Sequence, residues 1–137
     1  MRRLLYLSAT LIGLASCDGQ TTNEFIVVND SSKRIILDSE LFIESADSNL
    51  TVIPPESEVM IYFWSSLGGN SSPALENLVE ISDSLFLAST MISSDGDTLA
   101  KPFHNIRAWE ITSNQRSKFP STWEHFHRFT VEESDWK

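Results

Sequence analysis

Residues Val59–Trp64 commit this chain to a β architecture. The run Val-Met-Ile-Tyr-Phe-Trp is six large apolar or aromatic side chains in succession, rich in strand formers. Pro54-Pro55 precedes it and a loop from Gly68 to Pro73 follows it, so it cannot extend far in either direction. Period-two alternation predicts Val59, Ile61 and Phe63 on one face and Met60, Tyr62 and Trp64 on the other. Both faces are then apolar, as in a strand covered on each side. Tyr62 and Trp64 read first as core residues. Their second reading is a weak ligand-binding pair, since aromatics in a row stack on sugar rings or anchor a protein partner.

The rest of the body repeats this logic in shorter pieces. Phe25–Val28 and Ile35–Leu37, joined by the turn-forming Asn29-Asp30-Ser31-Ser32, predict a hairpin. Leu41–Ile43 is a short edge segment, and Leu50–Ile53 is a strand stopped by Pro54-Pro55. Ser72-Pro73, followed by Leu75, Leu78 and Val79, predicts a short helix with serine as cap. Ser84–Thr90 returns to strand, and Ser94-Asp95-Gly96-Asp97 turns into a further short strand at Thr98–Ala100. An irregular stretch around Trp109 leads to a last strand, Trp123–Val131, and an acidic tail.

Seven or eight short strands with polar turns and little helix predict an immunoglobulin-like antiparallel β-sandwich. Two motifs carry a resemblance: Val52-Ile53-Pro54-Pro55-x-Ser57-Glu58, and the closing Phe129-Thr130-Val131-Glu132-Glu133-Ser134-Asp135. In these the body resembles small immunoglobulin-like or transthyretin-like envelope lipoproteins. The resemblance implies a fold and carries over no functional residue.

The N-terminus speaks to location. Arg2-Arg3 precede a charge-free run from Leu4 to Leu14, long enough for the core of a secretion signal and too short to span a bilayer as a helix. It ends in Leu14-Ala15-Ser16-Cys17, which resembles the lipobox of bacterial lipoproteins. That resemblance implies cleavage before Cys17 and thioether-linked lipid on Cys17, with acyl chains such as palmitate holding the protein on a membrane. The expected organisation is a signal peptide at 1–16, a lipidated tether at 17–23 and one domain at 24–137. Gly13-Leu14-Ala15 also fits ordinary signal peptidase, which would release the chain from Ser16 onward. Asp18 matches the inner-membrane retention rule of enteric-type sorting, while the membrane and its side stay open.

Charge excludes some partners. Removing residues 1–16 takes away two arginines and no acid, leaving 8 Lys+Arg against 19 Asp+Glu, a formal charge of −11. Nucleic acid is bound by basic faces, so it is excluded as a partner. Cys17 is the only cysteine, so no disulfide can form within the chain.

Chemistry-bearing clusters are weak. His125 and His127 leave a strand on one face at metal-clamping spacing, but only His104 remains as a further histidine, and zinc wants three or four ligands. The simpler expectation has one of them join the Trp123, Phe129 and Val131 face as a partly buried residue, with no metal and no cofactor. Asp95-Gly96-Asp97 lacks the onward ligands of a calcium loop and reads as a turn. No serine sits in a Gly-x-Ser-x-Gly elbow, and no Gly-rich phosphate loop is present. The expected function is therefore a non-enzymatic, lipid-anchored binding or assembly module of the cell envelope. The alternatives are a carbohydrate-binding surface lipoprotein and a small metal-dependent hydrolase.

Overall fold

The computed structural model describes residues 19–38, 50–69, 71, 86 and 89–137. Cys17 and the signal segment, the Leu41–Ile43 segment, the 72–79 helix and most of Ser84–Thr90 lie outside the described residues. Two sheets pack face to face, giving the all-β sandwich that the turn-punctuated strands imply. Seven strands are described: β1 (Gln20–Asn29), β2 (Ile35–Asp38), β3 (Leu50–Ile53), β4 (Ser57–Leu67), β5 (Thr90–Ser93), β6 (Glu110–Lys118) and β7 (Ser121–Val131). The larger sheet has the order β4-β1-β7-β6 and the smaller one β3-β2-β5.

Several details depart from the sequence reading. The antiparallel rule is broken once, because β1 and β7 run parallel from Gln20↔Thr122 to Asn29↔Val131. β1 and β2 form no hairpin with each other. The chain leaves β1 in the large sheet, turns at Asn29–Arg34 and enters β2 in the small sheet. A hairpin would have left one face of each strand without a cover, whereas crossing between layers lets Phe25, Val27, Ile35 and Leu37 share one core. The segment expected as tether is also shorter, since β1 begins at Gln20, with Thr21 and Asn23 buried. Finally, β6 occupies part of the stretch taken as irregular. Its residues Thr112–Lys118 are polar on both faces, as an exposed edge strand tolerates.

Asn29 holds the crossing. It is fully buried, and its amide nitrogen donates to the carbonyls of Lys33 (2.8 Å), Ile53 (3.1 Å) and Pro54 (3.0 Å). Two hydrogens serve three acceptors, so one is shared. Its side-chain oxygen accepts from the Ser31 backbone N–H and hydroxyl at 3.1 and 2.8 Å. One side chain therefore ties the β1–β2 turn to the β3–β4 turn, two of the places where the chain passes from one sheet to the other. Glu133 adds an outer fastening by accepting from Ser32 N–H and Oγ at 2.8 and 2.9 Å, which holds its carboxyl below the usual range.

β4 contains the second correction. Phe25 pairs with Tyr62 but Ile26 pairs with Met60, so Ile61 is an extra residue in a β-bulge. Beyond a bulge the alternation changes sides. Val59 and Ile61 point inward before it, and Tyr62 and Trp64, opposite Phe25 and Asn23, point inward after it. The outward residues are Met60 and Phe63, about half exposed at 54% and 49%. β4 is thus an edge strand with one covered face, rather than a strand covered on both.

The core joins Phe25, Val27, Phe129 and Val131 of the large sheet to Ile35, Leu37, Ile53 and Met91 of the small one. Phe86, Phe103 and Trp109 fill its flank: Trp109 stacks on Phe86 at 5.2 Å and donates its indole N–H to Phe103 O at 3.0 Å. The acidic tail is tied down as well. Thr98 and Lys137 exchange backbone hydrogen bonds at 3.1 and 3.0 Å, and Ala100 N–H donates to Asp135 O at 2.7 Å.

Replacing Asn29 tests the crossing. Asn29→Ala takes the amide donor from three carbonyls, of which Lys33 O and Pro54 O keep the Ser31 and Ser57 hydroxyls, and takes the acceptor from Ser31 N–H; it should lower the unfolding free energy by about 1–3 kcal/mol. Asn29→Asp should cost at least as much, because a carboxylate aims lone pairs at those carbonyls. Urea midpoints at neutral pH measure both, and an aspartate variant as stable as wild type would refute the assignment.

Candidate functional site

The large sheet is longer than the small one, and its inner face changes character along its length. Where the small sheet covers it, Phe25, Val27, Phe129 and Val131 are apolar. Toward the N-terminal end of β1 the same face carries Thr21, Asn23, His125 and Ser113. His127, opposite Phe25 on β1, sits at the boundary. His125, His127 and Asn23 are buried, so this is a polar cluster inside the protein rather than a solvated face.

Each histidine is held by a different strand. His127 Nε2 lies 2.9 Å from Asn23 Oδ1 on β1, and its ring stacks on Phe25 with centroids 4.4 Å apart and 11° between planes. An amide oxygen can only accept, so the proton sits on Nε2. Nδ1 keeps a bare lone pair and is buried without a hydrogen-bond partner. Burial pushes the His127 pKa down to about 4, and the neighbouring His125 pushes the same way. His125 Nδ1 lies 2.7 Å from Ser113 Oγ on β6, and the ring runs parallel to Trp123 at 6.4 Å. These contacts bind β7 to β1 on one side and to β6 on the other.

The two histidines leave one face of β7, as their spacing implies, and both of them, rather than one, join Trp123, Phe129 and Val131 there, fully buried rather than partly. His104 is not brought to them, since it is exposed on the loop after β5 and packs against Phe103. Among the described residues, no group of three or more His, Cys, Asp or Glu side chains is placed to hold a metal ion. Asp97 accepts from Lys33 Nζ and, at 3.1 Å, from Ser93 Oγ. The Asp95–Asp97 segment is therefore a turn fastened to Lys33, and that hydrogen bond holds the Asp97 carboxyl below its ordinary range.

Tyr62 and Trp64, the aromatic pair singled out above, are half-buried on the inner face, Tyr62 against Phe25 at 5.8 Å. The outward apolar residues of β4 are instead Met60 and Phe63. A separate open depression of about 380 Å³ lies between β5 and the following loop, walled by Met91, Leu99, Lys101, Pro102 and His104. Its cation is already engaged, because Lys101 Nζ donates to Thr130 O at 2.5 Å and lies over the Phe129 ring.

Sequence reasoning missed Asn23 and Ser113. Carrying the period-two pattern backward from Val27 through Phe25 to Asn23 and Thr21 would have found the first. Nothing local marks Ser113. No family model, curated protein or solved structure matches this chain.

The buried imidazole gives a pH signature. His127 stays neutral in the fold down to about pH 4, whereas in the unfolded chain it protonates near 6.5. Its contribution is fully present above pH 6.5 and is lost as pH falls toward 4, by about 3 kcal/mol in all. His127→Gln should flatten the slope of unfolding free energy between pH 6.5 and 4. Equal slopes for variant and wild type would show that the ring is not held neutral.

Proposed function

We propose that this protein is a lipid-anchored module of a bacterial cell envelope, with acyl chains on Cys17 and a β-sandwich that serves binding or assembly rather than catalysis. The observation that carries the reading is Leu14-Ala15-Ser16-Cys17 behind Arg2-Arg3 and an uncharged apolar run, directly ahead of the strand that opens at Gln20. A single acyl chain binds membranes only marginally, whereas two or more on one residue make desorption very slow. The sandwich then works at a surface, where its partners are other envelope components.

The arrangement of polar groups supports the non-catalytic part. The two closely spaced histidines are spent on internal contacts: His127 donates to Asn23 and stacks on Phe25, and His125 meets Ser113. A general base must reach the proton it takes, and fully buried rings among aromatic neighbours are poorly placed to do so. What β4 offers outward is apolar surface at Met60 and Phe63, chemistry suited to a protein partner. For glycan binding, the half-buried, inward Tyr62 and Trp64 are less favourable than an exposed aromatic row.

The anchor is tested by fractionation. Cys17→Ala should move the protein from the membrane fraction to the aqueous phase of a detergent partition and abolish labelling by a clickable palmitate analogue. A variant as membrane-bound as wild type would sink the reading. Tryptophan quenching by a glycan panel separates the carbohydrate alternative, for which Phe63→Ser should leave any titration intact.

A further inference from the structure

We infer that one end of the sandwich is a membrane-docking surface. In it, Phe119 and Leu67 enter a lipid bilayer beside the acyl chains on Cys17, so that the domain stands on the membrane in a set orientation. The inference rests on the anchor reading and adds to it the face that meets the lipid.

Strand register defines this end. Leu67 pairs with Gln20, Gln20 pairs with Thr122, and Lys118 pairs with Ser121 across the β6–β7 turn. The start of β1, the end of β4 and the turn from Lys118 to Ser121 therefore lie side by side. Backbone contacts close them together: Gly68 N–H donates to Gly19 O at 2.7 Å. A Cβ on Gly19 would lie 1.8 Å from Ser121 O, and one on Gly69 would lie 2.1 Å from the same oxygen. Only glycine permits that three-way approach.

Two apolar side chains project from this end with almost nothing upon them. Phe119, at the turn, is 94% exposed, and Leu67, at the end of β4, is 84% exposed. They are the most exposed of the large hydrophobic residues described. An isolated exposed leucine is ordinary on a protein surface. These two flank the point where the chain arrives from Cys17. Only Asp18 lies between Cys17 and Gly19, so the two steps of chain reach about 7 Å at full extension. With no longer tether, lipid on Cys17 would keep this end within a few ångströms of the headgroups, the depth at which interfacial apolar side chains insert.

Charge is arranged to match. Residues 19–22, 66–69 and 114–122 contain Arg116 and Lys118 and no acid. The opposite end, residues 29–34, 54–58 and 131–137, holds six acids (Asp30, Glu56, Glu58, Glu132, Glu133 and Asp135) against three bases. Arg116 is engaged by Glu124 at 2.6 Å, and Lys118 is exposed. With Arg116 neutralised by Glu124 and Asp18 in the connecting segment, the first end is close to neutral, whereas the second carries an excess of acids that anionic headgroups repel.

The test uses the lipidated full-length protein in phosphatidylethanolamine–phosphatidylglycerol vesicles, with and without brominated acyl chains. Phe119→Trp adds a reporter at the docking end, and Ser134→Trp adds one at the far end, each read as a difference from wild type. Docking predicts that the Phe119→Trp increment shifts to the blue and falls about twofold on bromination, while the Ser134→Trp increment is unchanged. If the protein floats with vesicles but neither increment is quenched, the anchor stands and the docking surface is refuted. Quenching of both alike refutes the orientation. If wild type fails to float, or Cys17→Ala floats equally well, the anchor reading itself fails and takes the inference with it.

Discussion

The passage from β1 to β2 and from β3 to β4, which sets the two layers against each other at one end, rests on one buried amide. Asn29 reaches Lys33 O in the turn after β1, and Ile53 O and Pro54 O in the turn before β4. β1 and β4 are neighbours in the large sheet, β2 and β3 in the small one. Fixing the two turns to each other therefore sets the spacing of the layers at that end. A purely apolar residue there would lose the donor to Ile53 O and the acceptor for Ser31 N–H, and would leave Lys33 O and Pro54 O to the Ser31 and Ser57 hydroxyls alone. The contact is thus specific in a way that hydrophobic packing, which is non-directional, cannot be.

From that end the sandwich changes character along its length. The small sheet has strands of four residues and the large sheet strands of nine to eleven, so the described sheets overlap over only part of the larger one. The overlapping part holds the aliphatic and aromatic core. Beyond it the inner face turns polar, where buried His127 meets Asn23 and buried His125 meets Ser113 across three strands. Lateral fastening of the sheet and layer-to-layer packing are thus assigned to opposite ends. The polar end is also the one bearing Phe119, Leu67 and the approach to Cys17, which gives the molecule a consistent polarity.

How much of this the sequence carries can be judged strand by strand. The turn at Asn29–Ser32, the stop at Pro54-Pro55 and the runs in β1, β3, β4 and β7 are legible because they depend on local chemistry: branched and aromatic residues, proline without an N–H, and Asx turns. β6 is illegible, because an exposed edge strand needs no apolar face and Thr112-Ser113-Asn114-Gln115 shows no alternation. Of the polar cluster, the His125/His127 spacing was readable and its partner Ser113 was not. The face of Tyr62 and Trp64 was misassigned, since one extra residue at Ile61 reverses every side chain beyond it.

By itself, then, the amino-acid sequence determined that the segments of β1, β2, β3, β4 and β7 are extended, that the chain builds two β layers, and that no disulfide supports them. Those properties follow from propensity, period and composition within a few residues. Only the tertiary structure decided that β1 crosses to the other sheet instead of folding back, that the first and last strands run parallel, and that two histidines vanish from the surface. Strand pairing joins residues about a hundred positions apart, as Phe25 and His127 are. No local pattern encodes such a partner, because the competing pairings have similar local energies and differ chiefly in what they bury.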